Sequence, residues 1–300
     1  MAQIHHFDHG WITPTVSYVL SVLGSMLGLT CAVRLRAAHG RGERIWWLAL
    51  AAIALGGTAI WSMHFVAMMG FSVVGTPIRY DVGLTVASAI IPILAVAMGV
   101  AIVAFGNGYQ NVRLIIGGVL SGLGIVAMHY LGMAAMQLNG DISYSMTRVG
   151  LSIGIAVVAA TVALWLSVTV RKPLVIFLSA LVMGVAVNGM HFTGMSAMSV
   201  MEHSPEGNLS GASASSMLVP IGLAVVFALI GLVYSLMAAP NEEDRAAAAY
   251  LAGRREASAA NAARMRTGEF GTIQPTGSSA AERSGPTLGG NWTYRNRSSR

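Results

Sequence analysis

Seven long apolar runs constrain this chain more than any other feature of its sequence. A helix of about twenty apolar residues crosses a bilayer core of about 30 Å. Only 10% of the 300 residues are charged, whereas a soluble domain carries about 25%. We therefore predict an all-α integral membrane protein with seven transmembrane helices. The predicted spans are Ile12–Val33, Ile45–Met69, Val82–Phe105, Val112–Met136, Val149–Val170, Pro173–Met198 and Met217–Met237.

Arginine and lysine lie mainly on one side of these predicted helices. The links after helices 1, 3 and 5 carry seven such residues, and the opposite links carry only Arg79 and Arg148. The positive-inside rule places the side that is richer in arginine and lysine in the cytoplasm. We therefore predict an extracytoplasmic N-terminus and a cytoplasmic C-terminus. The net charge of +6 follows from this bias and from a basic tail, so it indicates no nucleic-acid partner.

Composition divides the chain into three parts. We predict an extracytoplasmic, His-rich N-terminus (residues 1–11), a seven-helix membrane domain (12–239) and a cytoplasmic basic tail (240–300). The tail is poor in apolar residues and is expected to be largely disordered, although its segment Asn241–Met265 is compatible with a helix that has no apolar face. The tail contains no nucleotide-binding, kinase-like or DNA-binding motif. We expect no enzymatic activity, and we expect any output domain to reside on a separate protein.

A Met-His segment recurs near the ends of predicted helices 2, 4 and 6. His129 follows His64 by 65 residues, and His191 follows His129 by 62. Such a period indicates a duplicated unit. Here the unit is a helical hairpin that occurs three times, and helix 7 is not part of any repeat. The three histidines should reach a similar depth, near the extracytoplasmic face. The segments are Met63-His64-Phe65-Val66-Ala67-Met68, Met128-His129-Tyr130-Leu131-Gly132-Met133 and Met190-His191-Phe192-Thr193-Gly194-Met195.

The residue types in these segments suit a soft metal ion. On a helix, positions i, i+4 and i+7 share a face. Methionine occupies position i+4 after every motif histidine. Methionine also occupies position i+7 after His129 and His191, whereas Phe71 occupies that position after His64. Thioethers favour Cu(I), and imidazole binds copper in either oxidation state. Zinc would favour cysteine and carboxylate ligands. The candidate copper ligands are Met63, His64, Met68, Met128, His129, Met133, Met190, His191 and Met195.

Simpler interpretations compete with a metal site. An embedded histidine often acts as a packing residue, and methionine in an apolar helix is usually filler; the threefold recurrence favours a shared site over both. Haem, whose iron takes histidine or methionine as axial ligands, is the alternative to copper. A copper transporter is less favoured because no comparable ligands continue through the other halves of helices 2, 4 and 6. Further candidates for metal capture are His5, His6, His9 and His203, although a solvated terminus explains the first three.

These segments resemble the MHYT family of bacterial integral membrane sensor domains. Met128-His129-Tyr130, followed by Gly132-Met133, reproduces the motif that names the family; the third segment is a near copy, and Met63-His64-Phe65 is a phenylalanine variant. Tyr80-Asp81 matches the family's loop pattern, and the resemblance covers roughly residues 10–237. Ala67 in place of glycine makes the first segment the least typical.

The resemblance implies both a ligand and a role. Such domains are proposed to bind copper through methionine and histidine and to sense a diatomic gas such as oxygen, carbon monoxide or nitric oxide. They are commonly attached to cyclic-di-GMP enzymes, kinases or transcription-factor domains. We therefore expect a membrane sensor that binds copper, responds to a gas or to redox state, and passes its signal to a separate partner.

Overall fold

The computed structural model describes residues 4–5, 8, 10–74, 77–202, 210–239 and 242–267. Within them, seven helices are long and apolar enough to cross a membrane, which confirms the predicted fold class. A further helix, α8 (Glu242–Thr267), belongs to a separate compact unit and overlaps the segment Asn241–Met265. The seven are α1 (Ile12–Ala37), α2 (Arg41–Met68), α3 (Val82–Phe105), α4 (Gln110–Ala134), α5 (Met146–Thr169), α6 (Pro173–Ser196) and α7 (Ala214–Met237).

Six of these helices form a closed ring. Each of α1 to α6 packs against its neighbours in chain order, and α6 packs back against α1. Helix α7 lies outside the ring against α1 and α2, and it buries only Met217 and Leu232. The ring thus contains the three predicted hairpins, and the seventh helix is peripheral.

The middle of α2 departs from α-helical geometry. π-helical stretches are rare and are frequently found at functional sites, and this one ends immediately before the first Met-His segment. Close backbone approaches hold it in place: a Cβ on Gly24 of α1 would overlap the backbone of Ala59, and a Cβ on Gly56 would overlap the backbone of Pro92 in α3. Along the chain, α2 consists of Arg41–Ala52 (α), Ile53–Ser62 (π) and Met63–Met68 (α).

Short antiparallel strands join the links at one end of the ring, which we call the strand end. Strand β1 pairs with β2, β3 pairs with both β4 and β7, and β5 pairs with β6. Tyr80 lies opposite Met136 in the β3–β4 pair, just as Tyr144 lies opposite Met198 in the β5–β6 pair. The pairing therefore repeats with the sequence. The strands are β1 (Ile4–His5), β2 (Ser72–Val73), β3 (Arg79–Tyr80), β4 (Met136–Gln137), β5 (Gly140–Tyr144), β6 (Met198–Glu202) and β7 (Ala212–Ser213).

Arginines bind helix ends at the opposite end, which we call the arginine end. Nη2 of Arg44 donates to the carbonyl oxygen of Ala104 at 2.9 Å, and Nε of Arg113 donates to that of Ile102 at 2.9 Å. Both acceptors lie in the last turn of α3. A cation near a helix C-terminus is favourable because it interacts with the exposed carbonyl groups and with the helix dipole.

Candidate metal site

The three motif histidines meet at one point inside the ring. Nδ1 of His64 lies 3.0 Å from Nδ1 of His191 and 3.1 Å from Nδ1 of His129. The three rings contact one another edge to face, and each side chain is at most 1% exposed. Among the described residues, this is the one group of three or more His, Cys, Asp or Glu side chains whose ligand atoms lie close enough to share a metal ion, all within 4.8 Å. The sequence left open whether the motifs converge, and the structure shows that they do.

Glycine in one motif makes room for the histidine of another. A Cβ on Gly132 would overlap Nε2 of His64, and a Cβ on Gly194 would overlap Nε2 of His129. Each of these two rings therefore lies against bare helix backbone, with its Nδ1 turned toward the other histidines. The sequence predicts only that small residues let neighbouring helices approach. The structure shows that they accommodate imidazole rings.

Hydrogen bonding within the histidine cluster is incomplete. A ring nitrogen carries either one proton or one lone pair, so Nδ1 of His64 can form a hydrogen bond in one of its two short contacts but not in both. The Nε2 atoms of His64 and His129 are buried and have no hydrogen-bond partner. An unsatisfied buried polar group costs about 1–3 kcal/mol. A cation among the Nδ1 atoms would turn mutually repelling lone pairs into ligands.

The spacing of the Nδ1 atoms fits one small transition-metal ion. A metal–nitrogen bond of about 2.0 Å places two ligand nitrogens about 3.3 Å apart at a tetrahedral angle. The contacts of 3.0 and 3.1 Å around His64 are only slightly shorter. These two spacings suit coordination of one ion by Nδ1 of His64 together with a second histidine, and ligand atoms of all three histidines lie within 4.8 Å of one another.

Five of the six predicted methionine ligands lie in two apolar clusters. Those four residues after each histidine, Met68, Met133 and Met195, belong to an apolar cluster at the strand end. Met128 and Met190 belong to the larger core that extends toward the arginine end. All six predicted methionine ligands are buried: Met63, Met68, Met128, Met133, Met190 and Met195.

One step of the helical-face prediction was wrong. Helices α2, α4 and α6 end before the i+7 position, so the residues there do not continue a helical face. Met136 and Met198 instead begin β4 and β6, and Phe71 follows the end of α2. All three still pack in the strand-end cluster with the i+4 methionines. Strand pairing between links, rather than helical periodicity, determines the positions of Met136 and Met198.

The other predicted residues have structural roles or lie outside the residues that the structure describes. The Asp81 side chain caps α3 by accepting a hydrogen bond from the Leu84 backbone N–H at 2.8 Å. Burial raises the pKa of Tyr80, which packs in the strand-end cluster. His5 contributes its backbone to β1. His6, His9 and His203 lie outside the described residues.

A buried polar network near the site escaped the sequence analysis. Oδ1 of Asn188 accepts a hydrogen bond from Ser17 at 2.9 Å, and its Nδ2 donates to Ser21 at 3.2 Å. These bonds join α6 to α1, and Asn188 precedes His191 by three residues. The available signal was a serine at every fourth position of helix 1, since Ser17, Ser21 and Ser25 share one helical face.

Comparison with known proteins identifies the family. The MHYT family, described as a bacterial signalling protein N-terminal repeat, matches residues 57–117, 122–180 and 184–253. Each match begins seven residues before a motif histidine. The chain belongs to the MHYT family. The family resemblance drawn from the sequence is thereby confirmed.

Relatives of this MHYT-family chain are named as signalling proteins or as cyclic di-GMP enzymes. It is 41% identical over 202 residues to the bifunctional diguanylate cyclase/cyclic di-GMP phosphodiesterase MucR of Pseudomonas aeruginosa, a match that covers 66% of this chain and 28% of MucR. An uncharacterized signaling protein of Caulobacter vibrioides is 34% identical over 64% of this chain and 25% of its own length. Signaling protein YkoW of Bacillus subtilis is 29% identical over 63% and 24%. The chain thus spans about a quarter of the length of these relatives, and no solved structure matches it significantly.

Proposed function

We propose that this protein is a membrane sensor that binds one copper ion through His64, His129 and His191. The convergence of three buried imidazoles from three sequence repeats carries the proposal. Intramembrane ionisable side chains are costly and usually functional, and the Nδ1 atoms that face one another gain ligand bonds when a cation is present. When bound, copper supplies a redox-active centre with affinity for diatomic ligands.

The surroundings of the histidine cluster favour copper over the alternatives. Buried methionines precede and follow each histidine along its helix, and thioethers are soft ligands that favour Cu(I). The three imidazole rings lie only 4.9, 5.0 and 5.2 Å apart between centroids. A porphyrin does not fit between rings at these distances, so the geometry favours a single ion over haem.

The position of the cluster suits signal transmission. Each of α2, α4 and α6 supplies one histidine, so a change in coordination acts on three helices together. We place the strand end outside the cell and the arginine end in the cytoplasm because the short links at the arginine end carry the excess of positive charge. The relatives MucR, named as a cyclic di-GMP enzyme, and YkoW, named as a signalling protein, support a sensor role, with output through a separate signalling protein.

Metal analysis tests the copper site. The full chain is purified in detergent from copper-supplemented cells and compared with the variant His64→Ala/His129→Ala/His191→Ala. The control is His39→Ala, in an exposed link at the arginine end. We expect one copper per chain in the native and control proteins and none in the triple variant. Equal copper in all three, or a Soret band that identifies haem, would contradict the proposal.

Gas titration tests the sensor role separately. Oxygen, carbon monoxide and nitric oxide are added in turn to the copper-loaded protein, and its optical and electron paramagnetic resonance spectra are recorded. We expect at least one gas to change the copper spectrum of the native protein and of His39→Ala. If the metal-free protein and the triple variant respond as the native protein does, copper is not the sensing group.

A further inference from the structure

An interior cavity of about 50 Å³ lies next to the histidine cluster. Its lining includes Ile60, Ile125 and Val187, each of which precedes a motif histidine by four residues. In the regular α-helices α4 and α6, residues four apart lie on the same face, about one turn from each other, and Ile60 lies near the end of the π-helical segment of α2, just before His64. The three helices that supply the histidines therefore also enclose this cavity, one turn farther toward the arginine end.

The chemistry of the cavity lining selects a small neutral occupant. No charged side chain lines the cavity, and its two polar residues are Ser25 and Ser121. Oγ of Ser121 donates to the carbonyl oxygen of Ala95 at 3.1 Å, whereas the buried Oγ of Ser25 has no hydrogen-bond partner. A buried water needs two to four polar partners. One uncommitted hydroxyl in an apolar wall suits a molecule that accepts one weak hydrogen bond or none.

A cleft between α5 and α6 opens on the outer surface of the ring and shares a wall with this cavity. The cleft and the cavity share the lining residues Ala159, Met183 and Ala186. Val158 and Val182 in the cleft are 64% and 62% exposed, and no charged residue lines it. On a transmembrane helix, such an apolar surface faces lipid hydrocarbon. Two small alanines and the flexible thioether of Met183 are all that the shared wall contains.

We propose that a small neutral molecule of diatomic size, dissolved in the bilayer core, enters through the α5–α6 cleft and occupies the cavity beside the histidines. A buried water needs about 10–15 Å³, so a cavity of about 50 Å³ admits a diatomic molecule and excludes much larger ones. Apolar solutes concentrate in hydrocarbon relative to water. The role as a ligand route rests on the proposed sensor function, whereas the cavity and the cleft belong to the metal-free fold.

Xenon is the probe for this route because apolar protein cavities bind it. The metal-free full chain, labelled with ¹³C at the methionine methyl groups, is placed in lipid nanodiscs under increasing xenon pressure. The methyl resonance of Met183 should shift with a saturable dependence on pressure. Met98 and Met237, which are 46% and 81% exposed, should show only the linear response of partition into lipid.

Glycine variants test the entrance. Gly150 and Gly154 line the cleft, and a side chain at either would meet open space, so Gly154→Leu and Gly150→Leu narrow the cleft without overlap. The matched control is Gly222→Leu on α7, where a side chain also meets open space. In the cleft variants, we expect the saturable shift at Met183 to be lost or to develop much more slowly after xenon is applied. In the control, we expect it to develop as in the native protein.

The outcomes separate this inference from the copper proposal. A linear shift at Met183, or a saturable shift that neither cleft variant alters, would overturn the route. Saturable binding through the cleft in a protein that binds no copper would support the route while contradicting the proposed metal site.

Discussion

At the residue scale, the glycines of the second and third motifs act across repeats rather than within one. His64 lies against Gly132, and His129 lies against Gly194. The glycine is needed for close approach, because any side chain there would occupy the space of an imidazole. This contact explains physically why a small residue stands three positions after the histidine.

Replacement of Gly194 tests this packing. Gly194→Ala places a Cβ where Nε2 of His129 lies. We expect the free energy of unfolding to fall by about 1–2 kcal/mol, because overpacking costs about 1–3 kcal/mol and the higher helix propensity of alanine returns up to about 1 kcal/mol. Thermal unfolding in detergent and copper content are the measurements. Gly189→Ala in the same helix meets open space and should be neutral or stabilising. Equal stability and copper content in both variants would refute the packing argument.

Asn188 offers a second test at this scale. Asn188→Leu removes the hydrogen bonds from α6 to Ser17 and Ser21 of α1. We expect the free energy of unfolding to fall by about 1 kcal/mol, which is in the range of interhelical hydrogen bonds in membranes. Unfolding by sodium dodecyl sulfate measures it. Thr193→Val is the control because that hydroxyl bonds to Gly189 within its own helix. An unchanged unfolding curve for Asn188→Leu would show that the network contributes no net stability.

At the scale of elements, α2 differs from the other two motif helices. Its π-helical segment Ile53–Ser62 delivers His64 to the cluster, and the segment lies directly against the backbones of α1 and α3. Helices α4 and α6 reach the same point with regular α-helical geometry. The apolar periodicity of the α2 sequence did not reveal the difference, because a π segment changes the backbone hydrogen bonding while the residues stay apolar.

Two adjacent glycines in this segment provide a matched pair. Gly56→Ala would force a Cβ into the backbone of Pro92, whereas a Cβ at Gly57 would meet the Ile93 side chain at 3.4 Å, an ordinary contact. We expect Gly56→Ala to cost about 1–3 kcal/mol and to lower copper affinity by displacing His64. Gly57→Ala should retain the stability and the copper affinity of the native protein, as measured by thermal unfolding and copper titration. If the two variants behave alike, the close approach of α2 to α3 does not position the histidine.

At the scale of the whole molecule, the ring has two chemically different ends. Links at the strand end pair with one another through backbone hydrogen bonds, whereas at the arginine end Arg44 of α2 and Arg113 of α4 bind carbonyl groups of α3 through their charged side chains. Each end thus satisfies exposed helix termini in its own way. The charge asymmetry predicts the direction in which the ring crosses the membrane.

Cysteine labelling tests that direction. Ser143→Cys lies exposed at the strand end, and Asn107→Cys lies exposed at the arginine end, whereas the native Cys31 is fully buried. In intact cells, an impermeant maleimide should label Ser143→Cys, and it should label Asn107→Cys only after permeabilisation. The opposite pattern would reverse the predicted orientation and place the histidine cluster near the cytoplasm.

The sequence by itself determined the seven spans, the threefold repeat, the family and the types of candidate ligands. Hydropathy, spacing and residue chemistry are properties of short segments, so they can be recognised without coordinates. Asp81, which the sequence matched only to the family's loop pattern, caps α3 in the structure.

Only the tertiary structure decided that the three motifs form one centre. His64 and His191 are 127 residues apart in sequence, and their contact depends on how each helix is rotated and tilted by its neighbours. The same packing set the places of Gly132 and Gly194 against the rings, the strand positions of Met136 and Met198, and the cavity beside the histidines. These features arise from contacts between distant segments, and a local sequence pattern does not specify them.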